Sequence, residues 1–550
     1  MPSLGFPCLQ SVSALQSLLS SIHLRSPISP IQTSIATNEC SAAIHQLPTD
    51  LLVRIFTYAL DYSPSAPQAA VDPFVSPTFT WNHLETPFSL SHVCHRWMET
   101  VNSTKQLWHS ISIYRPDSRH IYRTALWMMR ADTHPIRVAL TQSLSPSAVE
   151  EEATAKLLEI LAHRILTWKA FEIKVTGPSL PKPLLKCFTD LQDAMVMDEN
   201  KSLPQPILSN VAVTLDFNYR PPKHWRTIVD NNSPILPTYN LFNLIQTLPS
   251  LKFLHWNGRF TPGPSFSHTL ETLELHSPIS VEEFMERIPS CQQLQQLYVH
   301  HLTKPNAVIF TPDLMETDTD MDVDFAPTPR KPLPKLRRLG IASRMQISPI
   351  LRGLSTPKLL VLELESRETI EPVDVHNFLQ ESGCSLQAFG LWPRQLNADD
   401  VAKWLKMKEL QSVAGFKMLG VEVNDRILKM MNRPCLEDEP EFDDDSNPRT
   451  SLIGHTLFPE LKELILGSCN TNIDVGILQR MLGSRFWTVP DVTRTTGEQM
   501  EFPPIPKTEL RRAEVVVRDL TVDLIKYADM INTNGKYMRD KLINCVIRST

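Results

Sequence analysis

The nine residues Leu461-Lys462-Glu463-Leu464-Ile465-Leu466-Gly467-Ser468-Cys469 decide how this chain is expected to fold. As a pattern they read L-x-x-L-x-L-x-x-C. Alternate residues of a β-strand point to the same face, so Leu464 and Leu466 are expected to lie on one face and to be buried together. The segment therefore predicts a short strand with one apolar face.

The same pattern occurs repeatedly in the preceding two hundred or so residues. Successive copies begin 19 to 27 residues apart, except for two longer intervals that contain acidic segments, and a degraded unit around Leu410 and Val413 divides the longer of these. Such a period is typical of leucine-rich repeats, and the copy that begins at Leu461 matches their consensus through its Cys position. The earlier copies are Leu251/Leu254/Trp256, Leu270/Leu273/Leu275, Leu294/Leu297/Val299, Leu336/Leu339/Ile341, Leu359/Leu362/Leu364 and Leu386/Phe389/Leu391.

Helical periodicity separates these strands. Val281, Phe284 and Ile288 follow one copy at the spacing of a helix face, and upstream of Leu251 the period also switches between 2 and 3.6. Each strand–helix unit leaves an apolar face bare, so neighbouring units must stack. We therefore predict an α/β fold overall, in which residues 110–550 form a leucine-rich-repeat-like β-α solenoid. An α/β domain with chance L-x-x-L-x-L matches is the alternative.

A different pattern precedes the repeats, between Ile44 and Trp108. Apolar residues follow Pro48 at helical spacing as far as Leu60, and a second helix is predicted from Ser89 to Asn102. Two short helices of this kind must pack on each other, and some apolar surface can remain for a partner helix. A Pro-rich loop insertion, 61–87, separates them, so the sequence predicts a helical module at 44–109.

The residues of this module carry a resemblance. LPxxLLxxIF, then LxxVCxxW, then LW is similar to the F-box motif, and with the repeats the chain resembles the leucine-rich-repeat class of F-box proteins, particularly the divergent fungal type. The insertion is longer than is usual in that family and can cover or reshape the adaptor surface. The alternative is a helical hairpin whose apolar residues are only core. The resemblance implies an adaptor-binding set of Leu47, Pro48, Leu51, Leu52, Ile55, Phe56, Leu90, Val93, Cys94 and Trp97.

Charge is unevenly distributed along the chain. The net charge is −6, yet Asp313–Asp324 holds six acidic residues and Glu437–Asp445 holds seven. We expect solvated acidic loops near 313–334 and 436–449. Because no basic run with interleaved aromatic residues is present, no nucleic-acid partner is expected.

Cysteine usage and apolar runs bear on the compartment. Nine cysteines occur singly, without a C-x-x-C pair, which favours reduced thiols and a cytoplasmic or nuclear protein. Residues 1–43 are expected to be a flexible segment without a secretory signal. Since no apolar run reaches the length of a membrane span, no membrane association is expected.

Catalytic motifs are not found in the sequence, so we expect no enzyme activity, no cofactor and no metal. His92, Cys94 and His95 lie close together, but they are interpreted as a packed thiol beside surface histidines. Exposed residues between the buried leucines, namely Lys252, Glu274, Tyr298 and Glu363, are expected to face a substrate.

The resemblance implies the substrate-recognition subunit of a Skp–cullin–F-box ubiquitin ligase. Such a chain binds a Skp-type adaptor through the helical module and, through that adaptor, the cullin and RING subunits. Its repeat domain would hold an unknown protein substrate. The alternative function is a leucine-rich-repeat interaction scaffold without ligase coupling.

Overall fold

A computed structural model of the chain separates into two compact units, Met1–Ser277 (unit 1) and Pro278–Thr550 (unit 2). The structure describes residues 47–61, 87–176, 181–197, 206–216, 236–258, 266–303, 330–393, 396–419, 423–431, 457–469, 474–486, 512–517 and 544–549. The predicted segment 1–43, most of the insertion at 61–87 and nearly all of the two acidic loops lie outside these residues.

Unit 1 begins with short helices and continues as alternating strands and helices. Its elements are α1 (Thr49–Asp61), α2 (Pro87–Ser91), α3 (His95–Ser103), a 3₁₀ turn (Lys105–Trp108), β1 (Ser110–Tyr114), α4 (Ser118–Ala131), β2 (Ile136–Thr141), α5 (Ala148–Ala162), β3 (Trp168–Thr176), α6 (Pro181–Met197), β4 (Asn210–Asp216), α7 (Leu236–Gln246), β5 (Phe253–Asn257) and β6 (Thr272–Leu275).

The six strands of unit 1 pair in chain order, β1 to β6, and every pair is parallel. Parallel neighbours need a crossover connection, which the helices between β1 and β5 supply. One register row crosses the sheet through Ser112, Ala139, Glu172, Ala212, His255 and Glu274.

Unit 2 repeats this alternation. Its elements are β7 (Ile279–Ser280), α8 (Val281–Arg287), β8 (Gln296–Thr303), β9 (Lys331–Pro332), β10 (Arg338–Ser343), α9 (Ser348–Gly353), β11 (Leu354–Ser355), β12 (Val361–Ser366), α10 (Pro372–Ser382), β13 (Ala388–Pro393), α11 (Ala398–Leu405), β14 (Gly415–Met418), α12 (Asp425–Met431), β15 (Glu463–Cys469), α13 (Val475–Phe486), β16 (Arg512–Val517) and β17 (Asn544–Ser549).

The main sheet of unit 2 has the order β8-β10-β12-β13-β14-β15-β16-β17, again with parallel pairs. Two short pairs accompany it, β7 with β8 and β9 with β11. The predicted α/β class is therefore confirmed, with a large, parallel sheet architecture and helices between the strands.

Each L-x-x-L-x-L copy coincides with a strand of this architecture. In unit 2, Leu359, Leu362 and Leu364 of the copy at β12 are all 0% exposed, and the degraded unit at Leu410 leads into β14. In unit 1, the copies that start at Leu251 and Leu270 are buried in the same way at β5 and β6. The repeated apolar positions form the face of each sheet that packs into the core.

The second helix predicted for the helical module is wrong in its extent, for a local reason. The helix expected from Ser89 to Asn102 is two helices, because Cys94 has an extended backbone (φ −161°, ψ 169°) and precedes the first residue of α3. Leu107 and Trp108 lie in the 3₁₀ turn, so the first strand, β1, starts only at Ser110. Within the described ranges, no helix combines the length and apolar character needed to cross a membrane.

The second face of each sheet is the one opposite the face formed by the repeated apolar residues. In unit 2 this second face carries aromatic rings that lie over glycines. A Cβ atom at Gly340 would lie 2.5 Å from Cδ1 of Tyr298, and one at Gly390 would lie 2.6 Å from Cζ3 of Trp392. Lys417 places its Nζ 4.6 Å from the centre of the Trp392 ring. The absence of a side chain at each glycine therefore lets a ring lie against the strand.

Two residues expected to be exposed on the second face are buried. Glu274 is 5% exposed because two histidines flank it, and Tyr298 is 6% exposed because its ring covers Gly340. Lys252 is exposed, as expected, and Glu363 is half-buried.

Truncating a core leucine of β12 tests the assigned faces. Leu364→Ala removes a fully buried side chain and is expected to lower the free energy of unfolding by about 2–5 kcal/mol. The neighbouring Glu365 points to the other face and is exposed, so Glu365→Ala is expected to change it by less than about 0.5 kcal/mol. Urea denaturation of both full-length variants measures the difference, and equal midpoints would contradict the assignment.

Candidate functional site

The helical module, defined as residues 47–61 and 87–108, has its own small core. Leu52 and Phe56 of α1 are 0% and 1% exposed. The Phe56 ring meets the Trp97 ring of α3 edge to face, with centroids 4.6 Å apart. Aromatic pairs in this geometry add to the stabilisation from burial alone, so α1 and α3 hold each other.

Polar contacts fix the start of α1 against α3. Arg96 donates from Nη2 to the carbonyl oxygen of Leu47. The backbone N–H groups of Leu51 and Leu52 both donate to the carbonyl of Pro48, at 3.1 Å. Pro48 suits this position, because the first turn of a helix needs no N–H donor there.

Aromatic residues join the helical module to α4. The rings of Phe88, Trp108 and Trp127 are mutually edge to face, with centroids 5.1–5.5 Å apart. The indole N–H of Trp127 donates to the carbonyl of Trp108 at 2.8 Å, and that of Trp108 donates to the carbonyl of Val101 at 2.9 Å. The module is consequently packed on the first βα unit rather than tethered to it.

Two positively charged side chains stabilise the joint between the helical module and α4, which is formed by the rings of Phe88, Trp108 and Trp127. The Arg130 guanidinium lies 4.5 Å from the centre of the Trp108 ring, and its burial lowers the pKa of Arg130. Lys105 donates from Nζ to Asp132 at 2.6 Å, and that hydrogen bond lowers the pKa of the Asp132 carboxyl group. Both contacts connect α4 or its C-terminal end to the segment around the 3₁₀ turn.

Five large apolar side chains of the helical module are exposed. Leu51, Ile55 and Tyr58 follow one another at helical spacing on α1 and are 43%, 44% and 69% exposed. Val93 precedes α3 and is 58% exposed, while Met98 within α3 is 38% exposed. We call these five residues the outer apolar set.

The residues predicted to bind an adaptor divide by burial. Leu52 and Phe56 lie in the module's own core, whereas Pro48, Leu51, Ile55 and Val93 are exposed. The others are half-buried: Leu47, Leu90, Cys94 and Trp97. The division follows from the helix, because residues one apart in α1 point about 100° apart.

The predicted adaptor-binding set did not include Tyr58 and Met98, which helical spacing from Ile55 and Cys94 would have placed near this surface. Sequence reasoning also missed His255, Glu274 and His276, which form the one group of three potential metal-ligating side chains within the described ranges. His92 and His95, interpreted from the sequence as surface histidines, are exposed beside half-buried Cys94, and they do not belong to any such group in the described part of the chain.

Comparison with known proteins identified no relative of this chain. The chain matches no protein-family model and no curated protein sequence.

Adjacent residues of α1 provide a matched test of the module's core. Phe56→Ala removes a ring that is 1% exposed and packed on Trp97, so it is expected to destabilise α1 by about 3–5 kcal/mol. Ile55→Ala removes an exposed side chain, so its effect is expected to stay within about 0.5 kcal/mol. Hydrogen–deuterium exchange of residues 49–61 reports on both. Equal protection in the two variants would contradict the packing described.

Proposed function

We propose that this protein is the substrate-recognition subunit of a Skp–cullin–F-box ubiquitin ligase. The helical module binds a Skp-type adaptor, which connects the chain to the cullin and RING subunits, and the repeat region holds a protein substrate. The outer apolar set is the observation that carries this proposal.

The outer apolar set stands out from the rest of the described surface. Ten large apolar side chains are prominently exposed in the described part of the chain, and five of them belong to this module. Its helices have a core of their own in Leu52, Phe56 and Val101, and the five residues remain partly exposed beside that core. Concentrated apolar exposure of this kind marks a protein-interaction surface.

The order of the exposed residues supports a helical partner. Leu51, Ile55 and Tyr58 form an i, i+4, i+7 stripe, the spacing by which one helix lies against another. Val93 and Met98 provide a second apolar contact region around the start of α3. The F-box resemblance supplies the identity proposed for the partner.

The joint at Phe88, Trp108 and Trp127 has a role in this proposal. A ligase receptor contributes proximity, because it holds an acceptor lysine near the conjugating enzyme instead of performing chemistry itself. The packed rings prevent the helical module from swivelling freely on the first βα unit. An adaptor bound at the outer apolar set would therefore keep a defined orientation to the sheet of unit 1.

The second face of each sheet is the proposed substrate surface. In unit 1 the half-buried His255 lies on this face between the buried carboxylates of Glu172 and Glu274, and in unit 2 the half-buried Glu363 and Lys417 lie on it with the buried ring of Tyr298. Polar and aromatic groups on a rigid sheet suit specific recognition of a protein segment. The non-catalytic role proposed for the chain accords with this use of the sheet.

A single charge in the outer apolar set tests the adaptor assignment. Ile55→Asp places a carboxylate where the proposal buries a methyl group, and is expected to weaken binding of a purified Skp-type adaptor about 30-fold or more. Val149→Asp is the matched control, because Val149 is an exposed valine on α5 and distant in sequence from the module. Biolayer interferometry with the full chain measures both affinities, and undiminished binding by Ile55→Asp would overturn the assignment.

The scaffold alternative makes a different prediction for the unchanged protein. A leucine-rich-repeat scaffold without ligase coupling would not bind the adaptor at micromolar concentrations. Deleting residues 62–86 from the full chain then separates two cases. Gain of adaptor binding on deletion would mean that the insertion masks the helical module, and continued lack of binding would leave the scaffold function.

A further inference from the structure

A cluster of two imidazoles and a carboxylate lies on the second face of the sheet in unit 1. His255 of β5 is directly opposite Glu274 of β6 in the parallel register. His276 follows Glu274 by two residues, and its backbone N–H continues the β-type pairing by donating to the carbonyl of Trp256 at 2.8 Å. Since alternate residues share a face, all three side chains converge from one side of the sheet.

The carboxylate sits between the two rings. Nδ1 of His255 is 3.1 Å from Oε2 of Glu274, and Nε2 of His276 is 2.9 Å from Oε1. The ring centroids are 4.7 Å apart, and the candidate ligand atoms all lie within 4.8 Å of one another. Each oxygen of the carboxylate thus has an imidazole nitrogen on its own side.

The cluster is sheltered from solvent but not closed. The Glu274 side chain is 7% exposed, and those of His255 and His276 are 20% and 28% exposed. A carboxylate buried to this extent needs paired positive charge or several hydrogen bonds to offset its desolvation. The partial exposure of both imidazoles leaves a route for an ion to reach the carboxylate.

The backbone that carries the cluster is held by the core. Trp256, between His255 and Asn257, is 0% exposed, and its ring meets that of Phe242 with centroids 5.0 Å apart. Just beyond the strands, the N–H of Gly258 donates to Oγ of Ser277 at 3.3 Å. Side chains supported in this way adjust by rotation about χ1 and χ2 without moving the strands.

We infer that His255, Glu274 and His276 form a binding site for Zn²⁺. Two imidazole nitrogens and one carboxylate oxygen are a ligand set that zinc accepts, whereas Ca²⁺ and Mg²⁺ prefer oxygen ligands alone. Tetrahedral zinc with bonds of about 2.0–2.2 Å places its ligand atoms about 3.3–3.6 Å apart. Each imidazole nitrogen is within 3.1 Å of a different oxygen of Glu274, so binding through one oxygen requires the carboxylate to rotate and the two nitrogens to approach each other.

Three protein ligands leave a fourth tetrahedral position on the solvent side. That position takes a water molecule or a donor atom from a bound partner. The tautomers follow from the coordination: Nδ1 of His255 and Nε2 of His276 must each be unprotonated, so the proton of each neutral ring lies on its other nitrogen. All three ligands lie on or next to the sheet of unit 1, so zinc binding does not depend on adaptor binding.

Metal titration of the full chain tests the site directly. The protein is purified without a histidine tag, freed of metal by dialysis against a chelator, and titrated with Zn²⁺ by calorimetry and with Co²⁺ by visible absorption. We expect one Zn²⁺ per chain, with affinity at least about tenfold weaker in each of His255→Gln, Glu274→Gln and His276→Gln. His268→Gln is the matched control, because His268 is exposed in the same unit and is expected to leave affinity unchanged.

Stability provides the second readout. Zn²⁺ is expected to raise the melting temperature of the unchanged protein and of His268→Gln, but not of His276→Gln, because an ion that binds only the folded state stabilises it. Circular dichroism at the start of each melt shows whether a variant is folded, and the three ligand substitutions give independent tests if one is not. Absence of stoichiometric binding, or equal affinity in all folded variants, would overturn the inference and leave the cluster as a group of side chains that contact one another without an ion.

Discussion

Parallel pairing between strands that follow one another in the chain is the constraint on which this structure depends. A parallel neighbour cannot be reached through a tight turn, so the chain must leave the sheet and return through a crossover between most pairs of strands. The helices in these crossovers cover the face formed by the repeated leucines. The interval between copies of the pattern is therefore set by the path of one strand and its return connection, which explains its persistence through β5, β12 and β13.

The helical module likewise divides its residues between a buried face and an exposed face. In α1, consecutive residues divide between the interior and the outer surface: Leu52 and Phe56 complete the core, while Leu51 and Ile55 remain outside. The Leu-Leu and Ile-Phe pairs of this motif therefore have two roles. One member of each pair holds the helices together, and the other is available to a partner. Mutations at adjacent positions should for that reason be interpreted separately.

The sequence predicts the buried face of the sheet much better than the opposite one. L-x-x-L-x-L specifies which side chains point to the core, because strand periodicity alone decides that. Burial of Glu274 depends instead on His255, which lies 19 residues earlier and becomes a neighbour only through register. Aligning the copies would have found this pair, as both residues occupy the variable position between the second and third apolar residues of their repeats. The break at Cys94 had no comparable signal, because apolar spacing continued across it.

The glycines beneath Tyr298 and Trp392 determine the surface contour of the second face of the sheet in unit 2. Where a strand has no side chain, a neighbouring ring fills the space, as the ring of Trp392 does at Gly390 while it also contacts the ammonium group of Lys417. Exchanging Gly390 for any other residue would lift that ring away from the strand while leaving Leu391, on the core face, in place. The contour of this surface can therefore diverge between related chains through glycine replacement alone, without altering the apolar pattern that defines the fold.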